Sequence, residues 1–124
     1  MDEILVKRLS YIKYLFSKAQ DESRMPEPMC GFSVLSLHNC IEMFLHLICV
    51  QNSINKKDNN FMAYWDVINN KFTDRELPDK MRFEALNKAR VGLKHYGNIP
   101  IKADIDAFRI NTRTFLKEQC KLFF

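Results

Sequence analysis

The sequence predicts an all-α protein, an antiparallel bundle of four to five helices, and three observations carry that expectation. Apolar residues recur at three- and four-residue steps over long windows, the period of a helix with one buried face. Glycine is scarce, at three in 124 residues, and no Asn-Gly or Asp-Gly hairpin signal occurs. The prolines Pro26, Pro28, Pro78 and Pro100 fall between the apolar windows rather than inside them, where a missing amide donor does least harm.

Residues 3 to 23 place Ile4, Leu5, Leu9, Ile12, Leu15, Phe16 and Ala19 on one stripe, with Lys7, Arg8, Lys13 and Lys18 elsewhere, as in an amphipathic surface helix. Met25-Pro26-Glu27-Pro28 ends it, because the residue before a proline avoids α geometry. From Met29 to Val50, fifteen of twenty-two residues are Met, Cys, Phe, Val, Leu or Ile. His38, Asn39, Glu42 and His46 lie near the middle of this window. A charged side chain there would cost about 3 kcal/mol at mid-bilayer on insertion scales, so the expected element is a buried helix of a soluble bundle, without membrane association. A helix apolar on nearly every side is either the central one or one shared with a second subunit.

Residues 51 to 60 form a polar linker. Phe61 to Phe72 reads as a short helix whose Phe61, Tyr64, Trp65 and Ile68 point to the core, and Pro78 fits the first turn of a helix running to about His95. Gly97 suits the left-handed closing position, and Pro100 prevents continuation. A last helix over roughly 102 to 122 carries Ile105, Phe108, Phe115, Leu116 and Phe123 at helical spacing.

The whole chain, 1 to 124, reads as a single domain. A chain of this length hides roughly two thirds of its unfolded surface, enough for one core without disulfides or metal. Cys30, Cys40, Cys49 and Cys120 form no CxxC pair and sit among apolar neighbours, which predicts reduced core thiols. The acidic start Met1-Asp2-Glu3 lacks the features of a secretory signal, so the expected location is cytoplasmic. The apolar end Lys121-Leu122-Phe123-Phe124 fits equally a terminus docked into the core and a chain that continues in a longer protein.

Charge is unevenly spread. Residues 1 to 50 balance at −1 and residues 51 to 124 at +5, for a net +4. Between residues 80 and 94, Lys80, Arg82, Lys88, Arg90 and Lys94 face only Glu84, and a cationic helix attracts phosphate. This helix ends Arg90-Val91-Gly92-Leu93-Lys94-His95-Tyr96-Gly97. Five positions on a straight helix mean about 140° of rotation and about 7.5 Å of rise, so Arg90 and His95 meet only if the helix end lets His95 swing away from ideal geometry. An imidazole that moves protons near neutral pH, beside a guanidinium that keeps its charge, is a workable minimum for cleaving RNA.

The stretch Leu86 to Pro100, with its Arg-x4-His spacing, resembles the HEPN superfamily of small helical domains. So does Leu37-His38-Asn39-Cys40-Ile41-Glu42-Met43-Phe44, which looks like that family's acidic residue within an apolar helix. The resemblance covers essentially the whole chain in helix order. It implies a dimer with two Arg/His motifs around a shared basic groove, and in many members a metal-independent ribonuclease of toxin–antitoxin or phage-defence systems. Carried over by position, His95 would transfer protons and Arg90 would hold phosphate, with Lys88, Lys94 and Tyr96 binding RNA and Glu42 and Asn39 in support. Many active members carry a polar residue directly after the arginine, where this chain has Val91. Other members are inactive dimerisation or RNA-binding modules of larger proteins.

Glu42 is expected to pair with Arg90, either to orient the guanidinium or as a purely structural ion pair, because a carboxylate in so apolar a helix needs a cation. His38, Glu42 and His46 at i, i+4 and i+8 cannot close on one metal ion unaided, so the histidines read as core or interface groups bonded to backbone or to Glu42. The expectations are a homodimer through the second and fourth helices, RNA as partner, a cognate antitoxin or fused domain, and no cofactor or metal. A net charge of +4 is too modest to require nucleic acid, and a scaffold bundle with protein partners only is a third reading.

Overall fold

The computed structural model describes residues 2–124. Helix α1 (Glu3–Ser23) starts where the Asp2 carboxylate accepts the Ile4 N–H at 2.8 Å, a cap that satisfies one of the free donors at a helix start. After the proline break comes a single 3₁₀ turn, Met29–Phe32, and then α2 (Ser33–Gln51). The helix expected from Met29 therefore opens in the tighter 3₁₀ form: Gly31 N–H bonds to Pro28 O at 3.0 Å and Ser33 Oγ to Cys30 O at 2.6 Å. Gly31 is where this turn meets the α4–α5 connection, and a Cβ there would lie 2.8 Å from the Pro100 carbonyl oxygen and closer still to Ile99.

The remaining helices are α3 (Ala63–Lys71), α4 (Lys80–Tyr96) and α5 (Lys102–Phe123), so the described residues form an all-α bundle of five helices. Side-chain bonds fix their directions. Ser36 Oγ donates to Glu22 Oε1 at 2.6 Å and Cys40 Sγ to the Ile12 carbonyl at 3.4 Å, so α1 and α2 run antiparallel. His38 bonds to Asn87 at 2.9 Å while Gly31 touches the Ile99–Pro100 segment, so α4 also runs antiparallel to α2. Arg109 Nη1 donates to Ser23 Oγ at 3.2 Å, which sets the start of α5 beside the end of α1.

Helix α2 is the central one. Val34, Leu37, Cys40, Ile41, Phe44, Leu45, Leu47, Ile48 and Cys49 are all buried, packed against α1, α3, α4 and α5. Met29–Gln51 is long and apolar enough to cross a membrane by length and composition, and most of it is covered by the other helices. Its uncovered stripe is Asn39, Met43, His46 and Val50, at the i, i+4, i+7, i+11 spacing of one helix face.

Phe61, Tyr64 and Trp65 lie in the core, as the sequence predicts. Trp65 stacks on Phe83 with centroids 5.8 Å apart, and Phe83 meets Phe115 at 4.6 Å. Pro78 is not in the first turn of α4. It precedes the left-handed Asp79 (φ 69°) that leads into the helix, and its carbonyl accepts the Trp65 Nε1–H at 2.8 Å. The Asn69 amide bonds both backbone groups of Leu77, so the 72–79 connection is held from α3. All four cysteines are free thiols: Cys30, Cys40 and Cys49 buried, Cys120 half-buried. Phe123 is buried, and Phe124 sits edge-on to Phe44 at 5.7 Å.

Two glycine substitutions separate close approach from mere tolerance. Gly31→Ala is expected to lower stability by about 1–3 kcal/mol, the typical cost of forcing a methyl into packed surroundings. Gly92→Ala, inside α4 with only ordinary contacts to Asn98 in prospect, is expected to raise stability by about 0.5–1 kcal/mol through helix propensity. Urea denaturation of both variants reads the two signs directly.

Candidate nucleic-acid interface

Three of the five basic side chains on the fourth helix are neutralised locally. Lys80 pairs with Asp66 at 3.4 Å, Arg82 with Asp79 at 4.0 Å and Lys88 with Glu84 at 3.5 Å. Among the described residues, Arg90 and Lys94 have no carboxylate within 4.0 Å. The uncompensated charge is thus gathered in the last two turns of α4, where cations also complement the partial negative charge of a helix C-terminus. Lys88, expected to bind RNA, is exposed but shared with Glu84.

Arg90 is half-buried, and Lys94, His95 and Tyr96 are exposed, Tyr96 to 76%. The helix remains regular through Tyr96, and Gly97 closes it in the left-handed conformation (φ 67°), its N–H bonded to Leu93 O at 3.0 Å and that of Asn98 to Gly92 O at 3.1 Å. His95 therefore does not swing out from a frayed end. It keeps its helical position, about 140° around the axis from Arg90, and one chain alone does not converge the two groups on one point.

Glu42 does not pair with Arg90. The antiparallel register explains this: with His38 opposite Asn87, the next turn of α2 faces an earlier turn of α4, away from Arg90. Glu42 is half-buried and borders a shallow depression with Arg8, Tyr11, Met43, His46 and Tyr64. The Tyr64 phenol is held above its ordinary value by burial first, then by the Glu42 charge and by Cys49. Asn39 is exposed and takes no hydrogen bond from another side chain among the described residues. His46 is exposed as well, so only one of the two histidines on α2 belongs to the core, and its partner is Asn87 rather than Glu42.

That histidine is the residue sequence reasoning undervalued. His38 is 1% exposed, and its ring lies 4.1 Å from Phe61, centroid to centroid. An amide oxygen only accepts, so Nε2 carries the proton donated to Asn87 Oδ1 and Nδ1 is left as a buried acceptor with no partner. Burial, reinforced by the nearby Arg90 and Lys94 charges and opposed by the Asn87 bond, lowers its pKa to about 4. The neutral imidazole joins α2 to α4 three residues before Arg90, so the arginine springs from a turn anchored in the core. A polar residue within the apolar 29–50 window and an Asn one turn before Arg90 were both visible in the sequence; their pairing needed the helix register.

His38 makes stability pH-dependent. The native imidazole takes up its proton near pH 4 and the unfolded one near its ordinary 6.5, so between these values the unfolded chain binds more protons. Stability is expected to fall by about 3 kcal/mol as pH drops from 6.5 to 4, and to owe nothing to His38 above 6.5. In His38→Gln that part of the slope disappears, measured as the difference between the wild-type and variant denaturation midpoints across the window. Compared with known proteins, this chain matches no family model, no curated protein and no solved structure.

Proposed function

We propose that the protein acts on RNA as a HEPN-like domain, a metal-independent endoribonuclease of a toxin or phage-defence system. In this reading a dimer places Arg90 and His95 of two chains around one groove. The observation that carries the reading is the charge segregation along α4: cations near its start are matched by Asp66, Asp79 and Glu84, whereas Arg90 and Lys94 at its end are left unmatched beside an exposed His95 and Tyr96. Unpaired guanidinium and ammonium groups favour phosphate, with the guanidinium fork suited to two of its oxygens. Tyr96 offers a face for base stacking. In the reaction, His95 would move the proton of the 2′-hydroxyl or of the leaving oxygen while Arg90 steadies charge at phosphorus.

The angle between Arg90 and His95 makes the second copy essential to this chemistry, since each arginine needs an imidazole it cannot reach along its own helix. The uncovered α2 stripe of Asn39, Met43, His46 and Val50 is where such a copy would pack.

A second reading is an inactive dimerisation or RNA-binding module of a larger protein. Val91 beside Arg90, and no carboxylate within 4.0 Å of the guanidinium among the described residues, favour it.

Incubation with RNA in EDTA is expected to yield fragments ending in cyclic phosphate, and His95→Ala and Arg90→Ala each to abolish them with an unchanged melting temperature. Equal inertness of wild type and variants overturns the nuclease. RNA affinity that then falls in Arg90→Glu/Lys94→Glu, and falls in wild type as salt is raised, supports the binding module, while absence of any affinity overturns both readings.

A further inference from the structure

Helices α1 and α5 leave a trough between them with a cavity volume of about 490 Å³, lined by no residue of α4 and floored by Leu9, Ile12, Phe16, Phe44 and Leu116. This lies within the size range of small-ligand sites, which are mostly apolar with a few convergent polar groups. Three cations, Lys13, Arg113 and Lys117, line it, and no Asp or Glu does. None of the three has a carboxylate within 4.0 Å among the described residues.

The charges are unevenly placed along it. Arg109 is bonded to Ser23 while Cys120 lines the same trough as Val6 and Leu9, so α5 runs antiparallel to α1; Arg113 then lies toward the Phe16 end, and Lys117 falls between Arg113 and Cys120. Seven residues of α1 separate Lys13 from Val6, about 10 Å of helix, and the far end of the trough at Val6, Leu9 and Cys120 carries no charged side chain of its own. A lone apolar groove would suit many occupants. An apolar groove bordered by three unmatched cations, with an uncharged run at Val6, Leu9 and Cys120, suits a molecule with an anionic head and a hydrocarbon tail.

We propose that the α1–α5 trough is a binding site for a single-chain anionic amphiphile, a fatty carboxylate being the simplest case, with the head at Lys13, Arg113 and Lys117 and the tail along Leu9, Leu116 and Phe44 toward Cys120. Head contacts to exposed ammonium and guanidinium groups contribute modestly each, and the tail contributes through the apolar surface it covers. The site is separate from Arg90 and His95, and it stands whether or not the protein acts on RNA.

Cys120 gives a reporter at the tail end, because Cys30, Cys40 and Cys49 are buried and Cys120 alone is half-exposed. Dodecanoate, added to the full chain below its micelle concentration, is expected to slow alkylation of Cys120 by iodoacetamide, with modification located by peptide mass spectrometry. Dodecyltrimethylammonium, with the same tail and the opposite charge, is expected to protect poorly. Lys13→Glu/Lys117→Glu alters only exposed positions and is expected to weaken dodecanoate binding by about tenfold in calorimetry. Equal protection by both amphiphiles, or undiminished dodecanoate binding in the double variant, overturns the site, because the trough would then be merely greasy. Protection seen with anionic phospholipid vesicles, or with an acidic amphipathic peptide, but not with free dodecanoate overturns it too.

Discussion

The constraint on which the architecture rests is the covering of one apolar helix. A segment in which most side chains are hydrocarbon or sulfur can be stable in water only if neighbours hide nearly its whole circumference, since each large side chain left exposed forfeits about 1.5–3 kcal/mol of burial. Helices α1 and α4 run antiparallel to α2 and α5 packs against all three, while α3 and the 72–79 connection close the end where Trp65, Phe83 and Phe115 meet. The 3₁₀ turn before α2 follows from the same demand: Gly31 lets the chain touch the Ile99–Pro100 connection, which draws the ends of α4 and α5 onto the start of the central helix.

The site is a by-product of that packing. Helix α4 lays Phe83, Leu86 and Leu93 into the core, so its basic residues are turned outward and sorted by what stands beside them. Near its start the chain has just passed Asp66 and Asp79, and those carboxylates absorb Lys80 and Arg82. From its middle onward the facing helix α2 supplies a buried His38, bonded to Asn87 of α4, instead of an acid. An imidazole kept neutral by burial neither repels Arg90 and Lys94 nor cancels their charge, and this leaves the end of α4 the more cationic half of the helix. Protonation of His38 would put a charge in a buried site and, secondarily, a third cation beside these two, which is why acid opposes the fold here.

Much of this was legible in the sequence. The periodicity at 3 to 23 and 102 to 122, the loop at 51 to 60 and the stop at Gly97 follow from local rules of spacing, capping and backbone freedom, and each appears in the structure within a residue or two. The expected place of Pro78 did not hold, because the left-handed turn at Asp79 and the Trp65 bond to the Pro78 carbonyl are made by partners distant in sequence. The Glu42–Arg90 pair failed for a related reason. Residue types named a carboxylate in need of a cation, but which turn of α4 lies across from it depends on helix register, and register is set by core packing.

The amino-acid order by itself determined that the chain is helical, where most helices start and stop, and that α2 must be covered on nearly every side, because these follow from side-chain periodicity and backbone preferences acting over a few residues. Only the tertiary structure decided which cations are neutralised, that His38 rather than Glu42 supports the turn before Arg90, and that Lys13, Arg113 and Lys117 border an apolar trough. Those outcomes depend on distances between residues remote in the chain, which are fixed only when five helices settle together around a shared core.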